Sequence, residues 1–206
     1  GLATLALSFA PAFMAERWHL KIPVYFYSGI VLFLFGTVFL GEAFNFYERF
    51  WWWDLFLHGT SAMGFGIVGV VLTLLMFEGD QYAAPPYAVA GISFSFAVTI
   101  GAVWEIFEFG MDQLFGMNMQ KSGLVDTMTD LMVDCFGAGL AAMSGYAFLK
   151  FRSRYGLSAI ISEFILRNRR FFRRAAREIE TDGKVETHLD RLETHSRTMG
   201  VGRSDD

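Results

Sequence analysis

The chain has 206 residues, of which 53% are hydrophobic and 17% aromatic, with a mean hydropathy of +0.36. These values exclude an average soluble domain, and the single cysteine, Cys135, excludes an internal disulfide framework and any cysteine-based metal site. The net charge of −4 divides unevenly: residues 1–149 hold four basic and twelve acidic residues, and residues 150–206 hold thirteen and nine. The basic end therefore reads as membrane-adjacent and cytoplasmic, not as a nucleic-acid site.

A bilayer crossing needs roughly 20 apolar residues. Residues 1–15 are apolar but short and read as the tail of a first span. A secretory signal peptide is the competing reading, but the segment lacks a basic start and a clear small-residue cleavage site. Residues 22–41 carry no charge, 55–77 only His58, 87–104 none, and 131–149 only Asp134. About five visible spans are expected, in an all-α polytopic transmembrane bundle over residues 1–150. Cys135, inside the last span, is expected to serve packing. Lys150, Arg152 and Arg154 follow that span and place its exit in the cytoplasm. Alternation then puts loops 16–21 and 78–86 inside and loops 42–53 and 111–125 outside. Trp51, Trp52 and Trp53 in an outer loop suit the headgroup boundary.

Residues 151–180 are read as a basic amphipathic cytoplasmic helix. Arg167, Arg169, Arg170, Arg173, Arg174 and Arg177 would meet anionic lipid while Phe171 and Phe172 dip into the leaflet. Docking onto a partner membrane subunit is the rival reading. Residues 181–206 are polar and aperiodic and read as disordered.

Three polar sets interrupt the spans. WWWDLFLHGTS supplies Asp54, His58 and Ser61; WEIFEFGMD supplies Glu105, Glu108 and Asp112; DTMTDLMVD supplies Asp126, Asp130 and Asp134. At about 100° per residue each set lies on one helix face. The first set opens a span, the second closes one and the third opens the next, so all three should share one level near the outer membrane face. Charges there are expensive, so carboxylates of this density call for protonation or for cations among them. Oxygen-rich donors with one imidazole suit Mg²⁺, Mn²⁺ or Ca²⁺, and also Zn²⁺ or iron.

Glu105, Glu108, Asp130 and Asp134, together with Asp126, are the expected ligands of a divalent metal ion. His58 is the expected proton shuttle, with Asp54 orienting it. The plainer readings are that Asp126 caps a helix, that Asp112 is a loop carboxylate, and that the buried acids form a hydrogen-bond network between helices.

The stretches WWDLFLHGTS, GAVWEIFEF and GLVDTMTDLMVDCFGAG resemble, in motif and order, the YjdF-type family of bacterial inner-membrane proteins over residues 50–140. A looser similarity is to VanZ-like membrane proteins. The resemblance implies a compact helical bundle and supplies no reaction. The DxxxDxxxD pattern is also similar to that of intramembrane prenyltransferases and CDP-alcohol phosphotransferases, in which Mg²⁺ bridges aspartates to a lipid diphosphate or a nucleotide. This chain lacks their second aspartate motif and offers Glu105 and Glu108 instead.

Three functions follow as expectations. The leading one is an outward-facing metal-carboxylate site acting on a phosphate-bearing lipid. The second is an accessory subunit of a larger membrane complex, and the third is ion or proton translocation.

Overall fold

The computed structural model describes residues 19–78, 84–153 and 155–182, with Phe13, Glu16 and Arg17 ahead of them. The expected first span over residues 1–15 falls almost wholly outside the described residues, as do residues 183–206 of the polar tail. Among the described residues the fold is all-helical, with no strand. Four helices are long and apolar enough to cross a membrane: α1 (Val24–Ala43), α3 (Trp53–Met76), α4 (Pro86–Phe115) and α5 (Leu124–Phe151). A four-residue helix, α2 (Phe46–Arg49), joins α1 to α3. Beyond α5 come α6 (Leu157–Arg167) and a further helix, α7, over residues 173–182.

Local chemistry sets the boundaries. Pro86 opens α4 at a position where its missing N–H costs nothing. Gly116, at φ 64°, closes α4 in the left-handed conformation that a glycine adopts without strain. At about 1.5 Å per residue, the 30 residues of α4 span about 45 Å, well beyond a ~30 Å hydrocarbon core. Its last turns therefore carry charged residues past the greasy stretch of 87–104. In α1 the second half, Phe35–Ala43, widens to π-helical geometry, and the Phe44 N–H bonds to the Phe39 carbonyl five residues back. No pattern in the sequence announces that widening.

Helices α3, α4 and α5 pack on one another along their lengths, and α1 lies to one side. Small residues make this close approach possible. A Cβ on Gly137 of α5 would sit 2.3 Å from the Gly59 carbonyl oxygen of α3. A Cβ on Gly69 of α3 would sit 2.9 Å from the backbone of Ser93 in α4. The outward faces stay apolar and exposed, as at Phe65, Ile92, Ile106 and Phe136, which is the surface a bilayer covers. Cys135 is exposed on such a face rather than packed in the core. Of the three expected headgroup tryptophans, Trp51 and Trp52 are exposed, whereas Trp53 turns inward against Phe46 and Phe56.

The C-terminal segment differs from its expected form. It is not a single helix: it breaks at Asn168 and folds back as an α6–α7 hairpin beneath the bundle. Ile161, Ile165 and Phe172 are almost completely buried with Val70, Val71, Val89 and Phe148, so Phe172 enters protein rather than membrane. The break has a clear cause. The buried Asn168 amide donates to the Lys21 carbonyl (2.9 Å) and the Phe164 carbonyl (2.8 Å), and its oxygen accepts the Lys21 N–H (2.7 Å). It thereby satisfies the backbone just before α1. Glu78, after α3, accepts the Arg174 N–H at the start of α7, where a helix end favours a negative charge. Several arginines pair locally, Arg167 with Glu163, Arg169 with Glu180 and Arg174 with Glu178.

Three outcomes test this packing. Gly137→Ala should destabilise the protein by about 1–3 kcal/mol through overpacking against Gly59. Gly139→Ala, whose added Cβ meets nothing within 4 Å, should be neutral or better. Asn168→Ala should cost about 1–3 kcal/mol by stranding the Lys21 backbone groups. Thermal melting in detergent micelles measures all three.

Candidate functional site

Because α3 starts, α4 ends and α5 starts at the same end of the bundle, their polar turns share one level. Asp54 and His58 come from α3, Glu105 and Glu108 from α4, and Asp126, Asp130 and Asp134 from α5. His58 stands between two carboxylates. Its Nδ1 lies 3.4 Å from both oxygens of Asp134, and its Nε2 lies 3.7 Å from Glu105 Oε1. One donor atom each from His58, Glu105 and Asp130 fall within 4.8 Å of one another, and all three residues are buried. A second such group, from Asp54, Asp126 and Asp130, is half-buried at Asp54 and Asp126. Asp130 belongs to both.

The local sequence makes room for this meeting. Gly101 lies one turn before Glu105, and a Cβ there would come within 2.1 Å of Asp134 Oδ2. The glycine in GAVWEI is therefore what lets the α5 carboxylate reach α4 and His58. Glu105 is 3% exposed, and neither of its carboxylate oxygens has a hydrogen-bond partner. Gln120 and Thr127 stand near it, outside good hydrogen-bond geometry, and bond each other at 2.6 Å instead. Asp130 is 2% exposed, and none of the hydrogen bonds among the described residues reaches it. Buried acids without donors are costly in any protein interior, and more so among apolar helices.

The other expected site residues take different positions. Asp134, expected among the ligands, holds the Nδ1 side of His58, the place expected for Asp54. Asp54 instead joins Asp126 and Asp130. Glu108 accepts the Trp104 indole N–H at 2.9 Å and lies outside both close groups. Asp112 closes the α4–α5 loop, accepting the Met119 and Gln120 N–H groups at 2.7 and 2.9 Å. Ser61 donates back to the His58 carbonyl of its own helix at 2.9 Å. Asp126 accepts the Lys121 N–H at 3.2 Å, so it ties down the loop as well as facing the cluster.

Two residues at the mouth carried no signal in the sequence. Lys121 Nζ lies 3.2 Å from Glu48 and 5.2 Å from the centre of the Tyr47 ring. Tyr47 packs so tightly on Gly41 that a Cβ there would come within 2.3 Å of the ring. Burial, and then the charges of Asp54 and Glu42, hold the Tyr47 phenol well above its ordinary range, so it stays protonated.

These features define a helical membrane bundle with an acidic-histidine cluster buried near one end. The family model for the predicted membrane proteins DUF2238 matches residues 2–151, and the chain belongs to that family. The match runs through α1 and the residues before it, well beyond the stretch 50–140 that carries the motifs, and stops at the end of α5. An uncharacterized protein of Thermotoga maritima is 32% identical over 133 residues, 63% of this chain and 66% of its own length. The chain thus spans just under two thirds of that relative. No solved structure matches it. This is a multi-pass membrane protein.

If Glu105 is a buried carboxylate without a donor, Glu105→Gln should raise the stability of the protein kept in chelator by about 1–3 kcal/mol. The new amide supplies donors to Asp130 and His58. Thermal melting in excess chelator reads the shift, and a loss of stability would contradict it.

Proposed function

We propose that this protein is a membrane metalloprotein in which His58, Glu105 and Asp130 hold a divalent cation. The observation carrying this reading is Glu105: its two buried oxygens have no hydrogen-bond partner, and one lies within 4.8 Å of donor atoms of His58 and Asp130. A cation resolves that cost directly. A structural hydrogen-bond network, the competing reading, suits Glu108 with its Trp104 donor but not Glu105.

The imidazole supports the same reading. Protonated at Nδ1, it donates to Asp134 and leaves the Nε2 lone pair for the metal, the carboxylate–histidine–metal relay common in metalloproteins. One nitrogen with carboxylate oxygens suits Mn²⁺, Fe²⁺ or Zn²⁺ better than Ca²⁺. Such an ion could bind phosphate oxygens and lower the pKa of a bound water.

The cluster lies near the helix ends, so a phosphate-bearing lipid, whose headgroup sits at the membrane face, is the substrate class we favour. The basic C-terminal hairpin occupies the opposite end, and the rule that cytoplasmic segments are rich in Lys and Arg turns the site toward the periplasm of a bacterial inner membrane. Exposed faces of Arg169, Arg173 and Arg177 would then meet anionic headgroups on the cytoplasmic side. Motif order also supports kinship with the YjdF-type inner-membrane proteins.

The test is metal analysis of protein purified in mild detergent and loaded with Mn²⁺ or Zn²⁺. Wild type should retain tightly bound metal and melt at a higher temperature with it. Glu105→Gln and His58→Ala should lose both effects at the inner group. No retained metal in wild type would refute the proposal.

A further inference from the structure

We infer that the cluster holds two cations, the second bound by Asp54, Asp126 and Asp130, with the Asp130 carboxylate bridging it to the first. The inference rests on the metal-binding reading of the inner group and extends it to a paired site.

Asp130 is the observation that points to a pair. It supplies a donor atom to both close groups, is 2% exposed, and receives none of the hydrogen bonds among the described residues. A carboxylate has two oxygens, and a single inner cation uses one of them. The other remains without a hydrogen bond, and Asp130 also lies within reach of Asp54 and Asp126. Asp54 likewise receives no hydrogen bond among the described residues, and Asp126 accepts only the Lys121 N–H.

Charge points the same way. Asp54, Glu105, Asp126 and Asp130 supply four carboxylates to the two groups and Asp134 a fifth beside His58, while Lys121 at the mouth is already engaged with Glu48. One divalent cation balances two of those charges and leaves the outer group uncompensated. Spacing is suitable too. Oxygen ligands about 2.1–2.4 Å from a hard cation lie roughly 3–4.7 Å from each other, and the outer donors fall within 4.8 Å.

The two positions differ in kind. The inner one is buried and includes a nitrogen; the outer one is all-oxygen and half-buried. Hard cations should therefore favour the outer position and exchange from it faster. Paired cations bridged by a carboxylate clamp the attacking and leaving oxygens of phosphate esters, so the paired site fits the same substrate class.

Mn²⁺ titration of chelator-stripped protein in lipid nanodiscs, followed by bound-metal counting and electron paramagnetic resonance, tests this. Wild type should take up two equivalents and give the broadened spectrum of exchange-coupled ions. Asp126→Asn should take up one equivalent and give the spectrum of an isolated ion. Asp54→Asn, on a different helix, should do the same, so misfolding of one variant does not decide the matter. One equivalent in wild type, unchanged in both variants, overturns the second site and leaves the single-metal reading standing. Two uncoupled equivalents insensitive to either variant also overturn it. No bound Mn²⁺ in wild type removes both readings.

Discussion

The structure depends on how closely three apolar helices approach one another while carrying acids inward. Where Gly59 faces Gly137 and Gly101 faces Asp134, a single added methyl group would collide with backbone or with carboxylate. In a membrane there is no hydrophobic force between helices to offset a loose fit, so small residues and close van der Waals contact hold them. The same closeness that stabilises the bundle forces its carboxylates together. Packing and the candidate chemistry are therefore one constraint seen from two sides.

That constraint gives the molecule two unlike ends. At one, hydrogen-bond acceptors outnumber donors: both Glu105 oxygens are buried without a partner, and Asp130 is 2% exposed and receives none of the hydrogen bonds among the described residues. At the other, the α6–α7 hairpin fills the bundle base with Ile161, Ile165 and Phe172 and leaves its polar groups satisfied through Asn168 and Glu78. A fold that satisfies its backbone so fully at the base has not done the same for side chains at the mouth. Unsatisfied buried groups are where a ligand is expected.

Much of this was legible in the residues, for physical reasons. Charge-free runs of helical length announce spans, and alternation of direction puts the polar turns of α3, α4 and α5 at one end whatever the details of packing. The convergence of His58, Glu105 and Asp130 needed only that logic and the helical period. Assignments within the cluster did not follow from it. Whether Asp54 or Asp134 stands beside His58 depends on helix rotation of a few tens of degrees and on Gly101, and sequence periodicity does not resolve that. Glu108 was drawn away by Trp104, four residues earlier on its own helix. The C-terminal segment misled for a different reason. An apolar stripe beside arginines has the same pattern whether it covers lipid or the base of its own bundle, and only the Asn168 contact distinguishes them.

That contact also bears on how the protein is made. Asn168 and Lys21 are separated by 147 residues, yet the first backbone stretch ahead of α1 has its hydrogen bonds completed by this side chain. During synthesis α1 emerges long before Asn168 exists. The Lys21 backbone therefore gains these hydrogen bonds only after the chain past α5 has been made and has folded back. The hairpin is thus a late clasp on an early crossing, closed from beyond α5.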